Sequence, residues 1–121
     1  MKGFLEYITE MGEEQKKKLR SLIGNLLSHR LKIKYVGGRD IPHWQDEIRS
    51  WEPPLFRLVE NRPSLKSQEI DLSEMYADLV TGSGRFRGEL RKQYPKAKFP
   101  ETCPFTLKQV VGNRVWKKMN Q

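Results

Sequence analysis

The chain has 121 residues, a net charge of +8, a hydrophobic fraction of 36% and a charged fraction of 31%. That length supports one domain with a true core, and the supply of Leu, Ile, Val and Trp excludes a wholly disordered chain. No apolar run approaches the length of a membrane span, and the lone Cys103 excludes an internal disulfide.

The opening MKGFLEYITEMGEE turns acidic at once and has no apolar signal core, so a cytoplasmic protein is expected. Phe4, Leu5, Ile8 and Met11 recur at helical spacing and predict a short first helix over 3–11. The chain is organised around the next helix, predicted from Gly12 or Glu13 to Tyr35. Leu19, Leu22, Ile23, Leu26, Leu27 and Ile33 form a broad apolar face on it. Glu13 faces Lys17 and Glu14 faces Lys18, each pair adding a few tenths of a kcal/mol. Arg30 breaks the pattern, projecting at about 20 degrees on the wheel, inside the stripe. A guanidinium buried there needs a carboxylate or a full set of acceptors. Otherwise it lies over a tryptophan ring or snorkels to water. His29, at the stripe edge, reads as a structural histidine bonded to backbone or carboxylate.

Gly37, Gly38 and Pro42 predict a loop near 36–42. A second stripe follows from near His43: Trp44, Ile48, Trp51, Leu55 and Leu58, with Val59 beside it. The two tryptophans share the aliphatic face and so read as core rather than as a base-stacking platform. Pro53-Pro54 interrupts this helix and predicts a kink, or a break at Glu52. A third helix is expected over about 66–80, with Asp71 or Ser73 as its cap. A loop near 81–84 comes next, and Phe86, Leu90 and Tyr94 then repeat at helical spacing. Glycines 82, 84 and 88 lack the spacing of a dinucleotide or Walker loop, so no nucleotide cofactor is expected. Pro95 and Pro100 end that regularity in a loop near 95–105. The last element begins at Thr106, where TLKQ fits a capping box, and Leu107, Val110, Val111 and Val115 form its inner face. Trp116 lies off that face, where it either anchors a partner or rests against a loop.

The whole chain, 1–121, is therefore expected to be one all-α domain, a bundle of about five helices with irregular connections and a long central helix. Its charge is uneven. Residues 61–121 carry 12 basic and 6 acidic side chains, against 11 and 9 in residues 1–60. Arg85, Arg87, Arg91, Lys92, Lys96 and Lys98 crowd one segment with only Glu89 among them, the composition of a phosphate-contacting surface. Metal and enzyme chemistry find little support. One cysteine with His29 and His43 is too few for a structural zinc site. Nothing in the sequence brings Cys103 to His29 as nucleophile and base. Asp46 and Glu47 are neighbours on a helix and point apart.

Three segments carry a resemblance: LLSHRLKIKY at 26–35, HWQDEIRSWEPPLFRLVENRPSL at 43–65 and FPETCPFTLKQVV at 99–111. They resemble bacterial, largely cyanobacterial, proteins grouped as domain-of-unknown-function family twenty-nine. The first matching positions are Leu26, Leu27, His29 and roughly Tyr35, then Trp44, Pro63, Ser64 and Leu65. The most specific run holds Phe99, Pro100, Cys103, Pro104, Phe105, Thr106, Leu107, Gln109 and Val110. The resemblance implies an all-helical single domain and no known activity. This chain departs from it at Arg30, where an apolar residue is usual, at Pro53-Pro54 inside the usual long helix, and in its stronger basic run at 85–98.

The functional expectation is a protein-interaction or structural module, through an unknown protein partner or self-association, with Trp116 as the candidate contact. The alternative is non-specific nucleic-acid binding through Arg85, Arg87, Arg91, Lys92, Lys96 and Lys98.

Overall fold

A computed structural model describes residues 4–60, 70–82 and 88–119, with side chains from Glu14 onward. Six helices are described: α1 (Phe4–Leu31), α2 (Ile41–Glu60), α3 (Leu72–Thr81), α4 (Glu89–Gln93), α5 (Leu107–Val111) and α6 (Asn113–Met119). A π-helical turn (Lys32–Val36) follows α1. The all-α bundle expected from the sequence is what forms.

The expected first helix and the central helix are one. The backbone runs helically through Gly12, giving α1 its 28 residues. A single glycine costs about 1 kcal/mol relative to alanine and does not by itself end a helix. The inner face of α1 is Leu19, Ile23, Leu26, Leu27 and Leu31, all buried. Leu22 on its flank, and Ile33 in the turn that follows, are half-buried. Beyond Leu31 the ladder widens, and the Gly37 N–H donates to Lys32 O at 2.9 Å, five residues back. The extra residue rotates the side chains out of phase, which is why no residue of this turn is fully buried. Gly37 (φ 71°) and Gly38 (φ 96°) then turn the chain through left-handed backbone angles.

α2 runs back along α1. It starts at Ile41, two residues before the expected position, and continues through Pro53-Pro54 instead of breaking at Glu52. The two prolines remove the donors that would reach the Arg49 and Ser50 carbonyls. Both of those residues are exposed, so water can satisfy the orphaned acceptors. Trp44 is buried against Tyr94, Leu55, Leu58 and Val59 join the main core, and Ile48, Trp51 and Phe56 are half-buried against that core.

α3 starts at Leu72, later than the sequence indicated. Ile70 and Asp71 are non-helical, and the expected beginning at 66–69 lies outside the described residues. Asp71 is the cap, its side chain accepting the Glu74 N–H at 3.0 Å. The Asp78 carbonyl accepts the N–H groups of both Gly82 (3.0 Å) and Gly88 (2.8 Å), closing the end of α3 onto the start of α4. A Cβ on Gly88, which has φ +67°, would stand 3.2 Å from the Gly82 backbone.

A strap over 94–106 crosses the bundle. The Tyr76 hydroxyl donates to Pro100 O, and Tyr35 meets Phe99 edge-on at 5.9 Å. The capping box at Thr106 forms as expected, with Thr106 Oγ1 accepting from Gln109 N (3.2 Å) and Gln109 Oε1 from Thr106 N (2.8 Å). The last element is not a single helix. Gly112, at φ 90°, divides it into α5 and α6. Val110, Val111, Val115 and Met119 still join the core.

Candidate functional site

Three stretches far apart in sequence enclose a cleft of about 590 Å³: the end of α1 with the π turn, the first half of α2, and the junction of the strap with α5. Its apolar lining is Ile33, Ile48 and Phe105. Around these stand the cations Arg30, Lys34 and Arg49 and the amides Gln45 and Gln109, with no carboxylate in the lining.

Each cation is held differently. Lys34 lies 5.4 Å from the Phe105 ring and 5.6 Å from the Tyr35 ring, an arrangement in which the ring faces attract the ammonium. Arg49 is exposed and pairs with Asp46, one turn away. Arg30 is half-buried, and its Nε–H donates to Val110 O at 2.9 Å. The break at Gly112 accounts for that acceptor: in an unbroken helix Val110 O would bond the N–H of residue 114, and at a helix end it needs an outside donor. Arg30 therefore neither snorkels fully into water nor lies over tryptophan. Burial pulls its pKa below the usual guanidinium value, and no carboxylate among the described residues pairs with it.

Behind the cleft, His29 joins α1 to α2. Its Nδ1 lies 3.1 Å from Asn25 O, its Nε2 bonds Glu47, and its ring meets Trp51 edge-on at 4.7 Å. The other Glu47 oxygen is 2.8 Å from His43 Nε2. A backbone carbonyl on one ring nitrogen and a carboxylate on the other both favour a proton. Burial, the largest effect, and then the Lys32 charge oppose it, and the balance lies below the ordinary histidine pKa. Lys32 itself sits 5.7 Å from the Trp44 ring and 6.0 Å from Tyr94.

The residues singled out from the sequence lie elsewhere. Arg91 and Lys92 are exposed on α4, and Lys96 and Lys98 are exposed on the strap. None of the four pairs with a carboxylate among the described residues, and none lines the cleft. Arg85 and Arg87 lie outside the described residues. Trp116 is half-buried on α6, packed against the core. Cys103 donates to Phe105 O at 3.4 Å. Burial pushes its thiol pKa up, the reverse of what an activated nucleophile requires. Asp46 and Glu47 point apart, as adjacent helical residues must: one meets Arg49, the other the two histidines. Among the described residues no His, Cys, Asp and Glu side chains converge as a metal site, and no helix is long and apolar enough to cross a membrane.

The cleft escaped sequence reasoning because its parts carry no joint motif. The one signal was Arg30, a cation in an apolar stripe.

Fold and site together define a small all-α bundle with a cationic, apolar-floored cleft at one end of its long helix. Residues 1–116 match the family described as Domain of unknown function DUF29, and the chain belongs to that family. No curated protein and no solved structure matches it.

Proposed function

We propose that this chain is a protein-interaction module that receives an acidic, partly apolar segment of a partner protein in the cleft. The observation that supports this is the lining itself, Arg30, Lys34 and Arg49 around Ile33, Ile48 and Phe105 with no carboxylate in the lining and only Arg49 paired with an acid, Asp46, outside it. Such a surface attracts negative charge and rewards burial of an apolar side chain beside it. The docking surface is then the cleft rather than Trp116. Trp116 gives part of its surface to the core, whereas the cleft is open and polar-rimmed, as peptide grooves are. A photo-crosslinker at Gln45, on the cleft rim, should give a discrete protein adduct in cells, and one at the exposed Ser73 on α3 should not. Arg49→Glu should suppress the Gln45 adduct. Equal labelling from both positions, or an adduct indifferent to Arg49→Glu, contradicts the proposal.

A second reading has its own support. Arg91, Lys92, Lys96 and Lys98 are exposed and lack carboxylate partners among the described residues, which suits non-specific phosphate contact. Titration of labelled duplex and single-stranded nucleic acid at two salt concentrations tests it. Binding that weakens steeply with salt supports this reading, and no binding at low salt removes it.

A further inference from the structure

We propose that Arg30 is the carboxylate-recognition residue of the cleft, its missing counter-charge being an acidic side chain of the docked segment. This inference rests on the docking reading above and adds the contact that gives it specificity. A guanidinium presents five donors. Nε–H of Arg30 is committed to Val110 O, which tethers the group to the end of α5. The two terminal nitrogens have no hydrogen-bond partner among the described residues. Arg30 is half-buried and lines a cleft whose lining contains no acid. A partly desolvated cation with only a neutral acceptor is costly to maintain. A carboxylate is its natural partner, because two parallel N–H···O bonds match the planar fork.

The surroundings favour a peptide over a phosphate backbone. Ile33, Ile48 and Phe105 make an apolar floor beside Arg30, which a sugar-phosphate chain would leave unfilled. Gln45 lines the cleft with a donor and an acceptor for a peptide backbone, and Gln109, whose Oε1 accepts from Thr106 N, adds its amide donors. Lys34 and Arg49, more exposed than Arg30, set the long-range attraction rather than the specific contact. The segment that fits carries an acidic residue next to a large apolar one.

The test uses fluorescence anisotropy on the full chain with two labelled pools of short peptides. One pool fixes glutamate beside leucine or phenylalanine, and the other replaces that glutamate with glutamine. The glutamate pool should bind at least about tenfold more tightly than the glutamine pool. Arg30→Gln should remove that preference, and Arg30→Lys should restore part of it, with circular dichroism verifying the fold of both. Arg49→Gln should weaken the glutamate pool at low salt only, and the preference for glutamate should survive at high salt, where long-range attraction is screened. Equal binding of the two pools, or an unchanged preference in Arg30→Gln, overturns the role of Arg30. If neither pool binds while the Gln45 crosslinker still captures a partner in an Arg49-dependent way, the carboxylate contact is refuted and the docking reading stands. If both experiments fail, both ideas fall. Should labelled nucleic acid bind in an Arg30-dependent way while the glutamate pool does not, the peptide assignment is overturned.

Discussion

Arg30 and Val110, separated by 80 positions in the chain, are joined by one hydrogen bond of 2.9 Å. The contact links the end of the long helix to the end of α5 and places a half-buried cation at the head of the cleft. A hydrogen bond to a charged group contributes about 1.5–3 kcal/mol. Desolvation of a cation without a carboxylate offsets a comparable amount. Arg30→Met also takes the outside donor from the Val110 carbonyl, so unfolding free energy should fall by no more than about 2 kcal/mol, measured by urea denaturation. A loss well beyond this would make Arg30 a structural clasp rather than a residue held ready for a ligand.

The pinch between α3 and α4 gives a second expectation. Gly88→Ala puts a Cβ at positive φ and within 3.2 Å of the Gly82 backbone. The left-handed conformation alone costs about 1–3 kcal/mol for a non-glycine residue. The variant should unfold at lower urea concentration with an unchanged slope. An unaltered midpoint would mean that the Gly82–Gly88 approach is loose.

Protonation of His29 should destabilise the fold. Its folded-state pKa lies below the ordinary value, so the unfolded chain binds the proton more readily. The stabilising contribution is complete above about pH 6.5 and is lost as pH falls through the lower folded value. Wild-type stability should decline on acidification from neutral pH, and His29→Gln should flatten that decline. An equal slope in His29→Gln and wild type would contradict this.

Much of the architecture was legible because burial follows helical spacing. Leu19, Ile23, Leu26 and Leu27 on one helix and Trp44, Leu55 and Leu58 on the other are buried as their periodicity indicates. The Thr106–Gln109 capping box is visible as a four-residue string and forms as such. What escaped were places where local propensity and tertiary packing disagree. Gly12 and Pro53-Pro54 look like interruptions, yet α1 and α2 continue through them. The stripe Leu107, Val110, Val111 and Val115 reads as one helix, yet Gly112 turns the chain within it and frees the carbonyl that Arg30 binds. The π turn has no compositional marker beyond the glycines that follow it. The cleft itself exists only once residues 30–34, 45–49 and 105–109 are brought together.

The capping box bears on the cleft as well as on stability. Thr106→Ala removes the acceptor for Gln109 N and should cost about 1 kcal/mol. It also frees Gln109, a rim residue, so affinity for the glutamate pool should fall modestly while the preference for glutamate over glutamine remains. A variant with wild-type stability would show that the box contributes nothing to the fold.

The place where an acidic segment lands on the chain is the deciding observation. Nuclear magnetic resonance of the isotope-labelled chain, titrated with the glutamate peptide pool, reads that directly. The backbone amides of Ile33, Gln45, Ile48 and Phe105, with the Arg30 side chain, should shift together and saturate. Shifts confined to Arg91, Lys92, Lys96 and Lys98, or none at all, would contradict it.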